Sequence, residues 1–246
     1  MPTSSMRSVL LDWLMQVQAH LNLKDETLHL AARLIDKFQT RHPIDLDRFQ
    51  LVGVGCLLLA AKYEERFAPE VALLVYLTDN SYTRQDIINM EGLVWKTLNF
   101  DLCWPTTMTF LRRVLQVIAV NKEITCSFMA VKSLSSYLVD LALLSNSMAS
   151  FYPSETAAAA VRLALYVLCP DVPDVWNMTL THYSNYTERQ LSACISSFAE
   201  LVTKGARSRC QAPAKKHGKS YESAKLIKHL PDSPIIMEFL NNETAV

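Results

Sequence analysis

Enzymes and metal sites leave marks of residue type and spacing, and this chain carries few of them. Its histidines, His20, His29, His42, His182, His217 and His229, are scattered and never fall at a spacing that would gather a metal. The cysteines, Cys56, Cys103, Cys126, Cys169, Cys194 and Cys210, lie far apart and form no C-x-x-C pair. Most sit in apolar runs, where cysteine behaves as a small hydrophobe, and a reduced, intracellular setting is expected. Gly53-Val54-Gly55 lacks the third glycine of a phosphate-cradling loop and sits in a helix-like run. Those glycines are expected to let helices approach closely. No H-E-x-x-H, G-x-S-x-G or paired-carboxylate pattern occurs. The expectation is a chain without catalytic residues, metal or cofactor.

The chemistry that remains is recognition by charge and by apolar surface. The chain repeats itself at an offset of 104 residues, aligning Leu59-Ala60-Ala61-Lys62-Tyr63 with Leu163-Ala164-Leu165-Tyr166-Val167. At the same offset Ile87, Met90, Val94 and Leu98 fall on Leu191, Cys194, Phe198 and Val202. Apolar positions survive the comparison and read as fold. Lys62 becomes Tyr166 and Glu91 becomes Ile195. A fold built twice does not need that lysine or that glutamate, so both are candidates for partner binding. The plain alternative is a snorkelling lysine and a solvated glutamate. A second candidate is the stripe Met6, Val9, Leu10 and Trp13, spaced to share one helix face. Leu11, Leu14, Met15 and Val17 supply another apolar face. One face can pack inward while the other floors a groove, with Trp13 as the anchor.

The elements that position these residues are helices. Apolar periodicity predicts them at about 6–21, 26–40, 45–65, 69–77 and 83–98, then at 106–118, 122–143, 152–168, 172–182 and 187–203. No segment alternates with the period of a strand. Asp25, and Thr83 ahead of Asp86, suit helix starts. The segments 45–65 and 154–168 are apolar all round, at matching places in the two copies, as buried central helices are. The fold class is therefore all-α, two five-helix bundles each around its third helix, with domains at 6–102 and 103–203. Residues 204–246 read as a basic tail with a short helix near 213–224 and a largely extended end.

Half of the 246 residues are apolar, which supports a sizeable core without disulfides. Acids and bases balance at 24 each, against the basic excess of a nucleic-acid or membrane surface. The longest apolar run, Leu51 to Ala61, is far shorter than the roughly 20 residues that span a bilayer. The first residues carry no basic-then-apolar pattern of a signal peptide, and none is expected. No nucleic acid and no membrane are expected as partners, and a nuclear and cytoplasmic location is.

The motifs resemble a known family. Met6-Arg7-Ser8-Val9-Leu10-Leu11-Asp12-Trp13-Leu14 resembles the opening of a cyclin box. Gln50-Leu51-Val52-Gly53, Leu59-Ala60-Ala61-Lys62-Tyr63-Glu64-Glu65, Thr78-Asp79-Asn80-Ser81-Tyr82-Thr83 and Met90-Glu91 continue it at family spacing. Within the family the chain is most similar to mitotic B-type cyclins, on Gln16-Val17-Gln18, Phe110-Leu111-Arg112-Arg113 and Tyr183-Ser184-Asn185-Tyr186-Thr187-Glu188. Glu64-Glu65-Arg66 resembles the B3 subgroup. The resemblance implies tandem cyclin boxes and a regulatory subunit that binds and activates a cyclin-dependent serine/threonine protein kinase at the G2/M transition. It implies kinase contacts at Lys62 and Glu91, with Tyr63 and Phe67 as apolar neighbours in the kinase-binding set and Leu51 as an apolar position beneath the binding face, and an ion pair between Arg7 and Asp36 bracing the first box. It also implies a docking patch for substrate or inhibitor peptides at Met6, Val9, Leu10, Trp13, Gln16 and Gln50. Where A- and E-type cyclins carry a glutamate that reads a basic docking motif, this chain has Gln16, as B-type cyclins do. The rival is a tandem cyclin-fold adaptor, or a transcription-factor-like protein, without a kinase partner.

Overall fold

Thr3 opens the first helix, its hydroxyl accepting from the Met6 N–H at 3.3 Å. The computed structural model describes residues 2–121, 126–170, 172, 175–206 and 208–243, with side chains through 240. Its described residues are helical or irregular, with no strand. The chain divides between Thr106 and Thr107 into two units.

The first unit holds α1 (Ser4–His20), α2 (Asp25–Arg41), α3 (Phe49–Glu64), α4 (Val71–Leu77) and α5 (Arg84–Thr97). α3 is buried at every position from Leu51 to Ala61 and packs against α1, α2 and α5. An all-round apolar helix is stable only with neighbours on every side. The N-terminus of α2 is capped from another element. Glu65, just past α3, accepts from the Lys24 N–H at 2.7 Å and from the Thr27 hydroxyl at 2.5 Å. The Glu65 carboxylate thus serves α2 rather than balancing Lys62.

The second unit holds α6 (Thr107–Val120), α7 (Phe128–Leu143), α8 (Pro153–Leu168), α9 (Met178–Ser184) and α10 (Glu188–Gly205). α8 starts on a proline, whose missing N–H costs nothing there, and Ala157, Ala158, Ala159 and Ala160 bury completely against its neighbours. α9 begins later than the expected 172, because the Asn177 side chain caps it by accepting from the Leu180 N–H at 3.1 Å. The expected start of α7 at 122 falls outside the described residues.

The tail departs from expectation. It folds as α11 (Ala212–His217), α12 (Tyr221–His229) and α13 (Pro234–Glu243). Leu230 and Ile236 are buried in the core of the second unit, and Phe239 and Leu240 pack against it. The i, i+3, i+4 spacing of Ile236, Phe239 and Leu240 is a helix face, and an extended end could not bury it. α11 is held by charge: the buried carboxylate of Asp140 meets Lys216 Nζ and His217 Nε2, each at 2.7 Å.

The cysteines also depart in part. Cys126 and Cys169, 43 residues apart, are brought side by side with a Cα–Cα distance of 6.3 Å. Sequence distance concealed what the fold brings together. Cys56 and Cys194 keep the expected role: burial pushes both thiols well above their ordinary range, so they pack as inert apolar groups.

Acid should weaken this fold through two carboxylates. The Thr83 hydroxyl and N–H donate to Asp86 at 2.6 and 2.9 Å, and these bonds hold the Asp86 carboxyl below its ordinary range. At Glu188, burial acts to raise the pKa, but hydrogen bonds from Tyr166 and Arg162 outweigh it and the carboxyl is lowered. A lowered folded pKa gives stability that is full above the unfolded value and is lost as pH falls through the folded one. We predict a Tm that is steady near neutrality and drops below about pH 4, with Glu188→Gln shallowing the acid limb. An acid limb of equal steepness in that variant would remove Glu188 from the account.

Candidate functional site

A close helix approach builds the site. A Cβ on Gly55 of α3 would lie 2.9 Å from the Met90 side chain and 3.3 Å from the Glu91 backbone nitrogen. Glycine therefore lets α5 lie against α3. That approach puts Lys62 at the C-terminal end of α3 beside Glu91 in mid-α5, with Lys62 Nζ 2.7 Å from one carboxylate oxygen of Glu91 and 2.8 Å from the other. The lysine side chain is 50 % exposed and the glutamate 14 %.

Aromatic residues flank the pair. Tyr63 is half exposed, and its hydroxyl lies 3.1 Å from the sulfur of Cys103. Phe67 is 78 % exposed, with the Arg66 guanidinium 5.3 Å from its ring centre. Leu51, the apolar position expected beneath the binding face, is only 2 % exposed. It belongs to the core, and can only shape the face from beneath.

Phe100 is a residue that sequence reading missed. It follows α5 with φ +61°, a left-handed conformation that bulky side chains rarely adopt. It is nonetheless 63 % exposed, stacked edge-on against Trp95 at 5.7 Å. A strained backbone presenting an aromatic ring to solvent points to a use for that ring. The one available signal was an aromatic residue in the turn-like run Leu98-Asn99-Phe100-Asp101. Gly92, next to Glu91, was missed as well: a Cβ there would meet nothing within 4 Å.

The second unit shows what usually covers such a face. Its counterparts of Lys62 and Glu91 are Tyr166 and Ile195. Phe239 of α13 stacks edge-on against Tyr166 at 5.7 Å, and α13 packs along α10. Ile195 is buried. One copy of the face is covered by the chain's own tail helix, while in the other Tyr63, next to Lys62, stands exposed.

The first helix carries the other expected residues. Arg7 of α1 and Asp36 of α2 form a two-pronged pair, Nε to Oδ1 at 2.6 Å and Nη2 to Oδ2 at 2.7 Å, with Arg7 buried. The Met6–Trp13 stripe divides. Leu10 is buried and packs against Gly53, where a Cβ would come within 2.9 Å of it. Met6 and Val9 are exposed, and Trp13 and Gln50 half-buried. Gln16 is exposed and donates to Asp12 Oδ2 at 2.9 Å.

Two family profiles divide the chain as the fold does. One described as "Cyclin, N-terminal domain" matches residues 2–103, and one described as "Cyclin, C-terminal domain" matches residues 105–230. The chain belongs to the cyclin family. This cyclin is 42% identical over 219 residues to the "G2/mitotic-specific cyclin-B" of Patella vulgata, covering 89% of this chain and 51% of the relative. It is 39% identical to "Cyclin-A1-2" of Arabidopsis thaliana, covering 87% of this chain and 48% of that one. The cyclin thus spans about half the length of the curated relatives it matches. Among solved structures, a viral cyclin from herpesvirus saimiri matches with TM-score 0.71 at 17% identity, over 82% of this chain and 86% of that chain. A chain of the yeast RNA polymerase II CTD kinase CTDK-1 complex matches with TM-score 0.68 at 11% identity, over 98% of this chain and 76% of that chain. Both likenesses confirm the all-α tandem fold.

Within the cyclin's first box, then, the fold brings Lys62, Tyr63 and Glu91 together on the α3/α5 surface. Met6, Val9 and Trp13 share an exposed strip of α1. Leu10 and Leu51 lie beneath these surfaces. Among the described residues no cluster of His, Cys, Asp and Glu could hold a metal, and no helix is long and apolar enough to cross a membrane.

Proposed function

We propose that this cyclin is a regulatory subunit that binds and activates a cyclin-dependent serine/threonine protein kinase and promotes the G2/M transition in nucleus and cytoplasm, itself contributing no catalytic group. The observation that carries the reading is the exposed α3/α5 face, aromatic and charged, whose counterpart in the second box is filled by α13. A kinase's active state requires an inward C helix with its Lys–Glu pair formed. A partner that binds only that arrangement stabilises it by its differential affinity. The Lys62–Glu91 pair supplies charge of both signs, and Tyr63, Phe67 and Phe100 supply apolar anchors. The names of the mitotic relatives support the cell-cycle stage.

Co-purification with a cyclin-dependent kinase, followed by a histone-phosphorylation assay, tests this. Lys62→Ala should cost about 2 kcal/mol or more of kinase binding, some thirtyfold in affinity. It should cost less than about 1 kcal/mol of folding stability, as half-exposed ion pairs do. Phe100→Gly should leave stability equal or higher by relieving the left-handed backbone, yet weaken the complex. Kinase binding unchanged in both variants would refute the assigned face.

The α1 strip is proposed as a docking patch for substrate or inhibitor peptides. Trp13→Ala should reduce phosphorylation of a substrate carrying a basic-leucine docking motif and spare a minimal peptide with only the phosphorylated site. The neutral amide of Gln16 reads a basic residue weakly, so Gln16→Glu should tighten such a peptide, as measured by titration. If neither variant alters peptide affinity, the strip is ordinary surface.

A further inference from the structure

The second box has a cleft that the kinase-activator reading does not use. Its volume is about 680 Å³ and it runs between α6 and α9, lined by Arg113, Gln116, Val117 and Val120 on one side and Thr179 and Tyr183 on the other. That size lies in the range of ligand pockets. Val117 is a buried floor residue, whereas Val120, Tyr183 and the adjoining Met178 are large apolar side chains left exposed. A cluster of exposed apolar groups around a cleft marks a binding surface more than a scatter of single ones does.

The position in the repeat sharpens this. At the offset of 104, buried Arg7, Leu10, Leu11 and Leu14 of α1 fall on buried Leu111, Val114, Leu115 and Ile118 of α6. The cleft-facing Arg113, Val117 and Val120 are then the counterparts of Val9, Trp13 and Gln16. Each box therefore presents partner-accessible side chains on the same face of its first helix, with different chemistry.

Charge decides the occupant. α6 and α9 contain no aspartate or glutamate, while α6 carries Arg112 and Arg113 and α9 carries His182. Arg113 is exposed and makes no ion pair among the described residues. Around its guanidinium the walls offer amide and hydroxyl groups, from Gln116, Thr179 and Tyr183, and an apolar floor. An unpaired guanidinium is the best available receptor for a planar carboxylate. A basic peptide would bring like charge to Arg113.

We propose that the α6/α9 cleft is a second docking site, taking a linear protein segment in which a glutamate or aspartate lies next to an aliphatic residue, the carboxylate on Arg113 and the aliphatic group between Val117, Val120 and Tyr183. Panning a randomised phage-displayed peptide library against the full chain tests it. Enriched peptides should pair an acid with Leu, Ile or Met. Synthetic copies should bind Arg113→Glu at least about tenfold more weakly, and bind Trp13→Ala unchanged. Replacing the peptide's acid by lysine should restore binding to Arg113→Glu. Arg113 is exposed, so the variant should fold, and a thermal melt checks that. The proposal is overturned if no peptide is enriched, if enriched peptides are insensitive to Arg113→Glu, or if they depend on Trp13. It is also overturned if binding requires phosphoserine in place of the acid.

Discussion

Arg7→Ala is expected to lower the stability of the first box by about 3 kcal/mol. The guanidinium is buried and makes two short charge-assisted hydrogen bonds to Asp36, joining α1 to α2. Removing it strands a carboxylate that is 38 % exposed, so the cost should fall at the lower end of what breaking a buried pair entails. Arg7→Lys should recover less than half, because an ammonium cannot make the two-pronged contact. The double variant Arg7→Met/Asp36→Leu should be more stable than either single change, since no charge is then left unpaired. Urea unfolding followed by tryptophan fluorescence reads this, with Trp13, Trp95 and Trp104 all in the first unit. A loss below about 1 kcal/mol for Arg7→Ala would mean that the pair is solvated in effect and braces nothing.

The second large effect is expected at Gly55. Valine there would drive its Cβ to 2.9 Å from Met90 and its methyl groups toward the backbone of α5. Overpacking of this kind costs about 1–3 kcal/mol. It should also carry Glu91 away from Lys62, so kinase affinity should fall together with stability. Gly92→Ala is the contrasting change. It lies in α5, beside Glu91, its added Cβ would meet nothing within 4 Å, and it should raise stability by about 1 kcal/mol through helix propensity alone. If both substitutions acted alike, the close approach of α3 and α5 would not be what positions the pair. Should Gly92→Ala also weaken kinase binding while stabilising the chain, a partner surface must pass directly over that bare position.

The helices and their burial were legible because periodicity records them. α3 and α8 are apolar on every side, and only a central position accommodates that. The repeat isolated Lys62 and Glu91, since residues needed for the fold recur in both copies and these do not. The motif order marks the family, and Gly53 and Gly55 within an apolar helix mark sites of close helix contact. Beyond the Arg7–Asp36 pair, which the family resemblance implied and the structure shows, what could not be read was which side chains meet. That Lys62 and Glu91 touch depends on the crossing of α3 over α5, a distance of 29 residues along the chain. That Leu51 is core follows from α3 being apolar and buried on every side, whatever its rotation. Phe100 gained its exposure from a left-handed turn that its residue type disfavours. The tail was misjudged because its charge suggested solvent. Its few apolar residues bury only once α7, α8 and α10 are assembled to receive them. Composition and spacing thus determined the helices, the duplication and the family. Tertiary structure alone decided the contacts, because a side chain's neighbours are set by how helices cross and rotate, and that is a property of the packed core and not of any one segment.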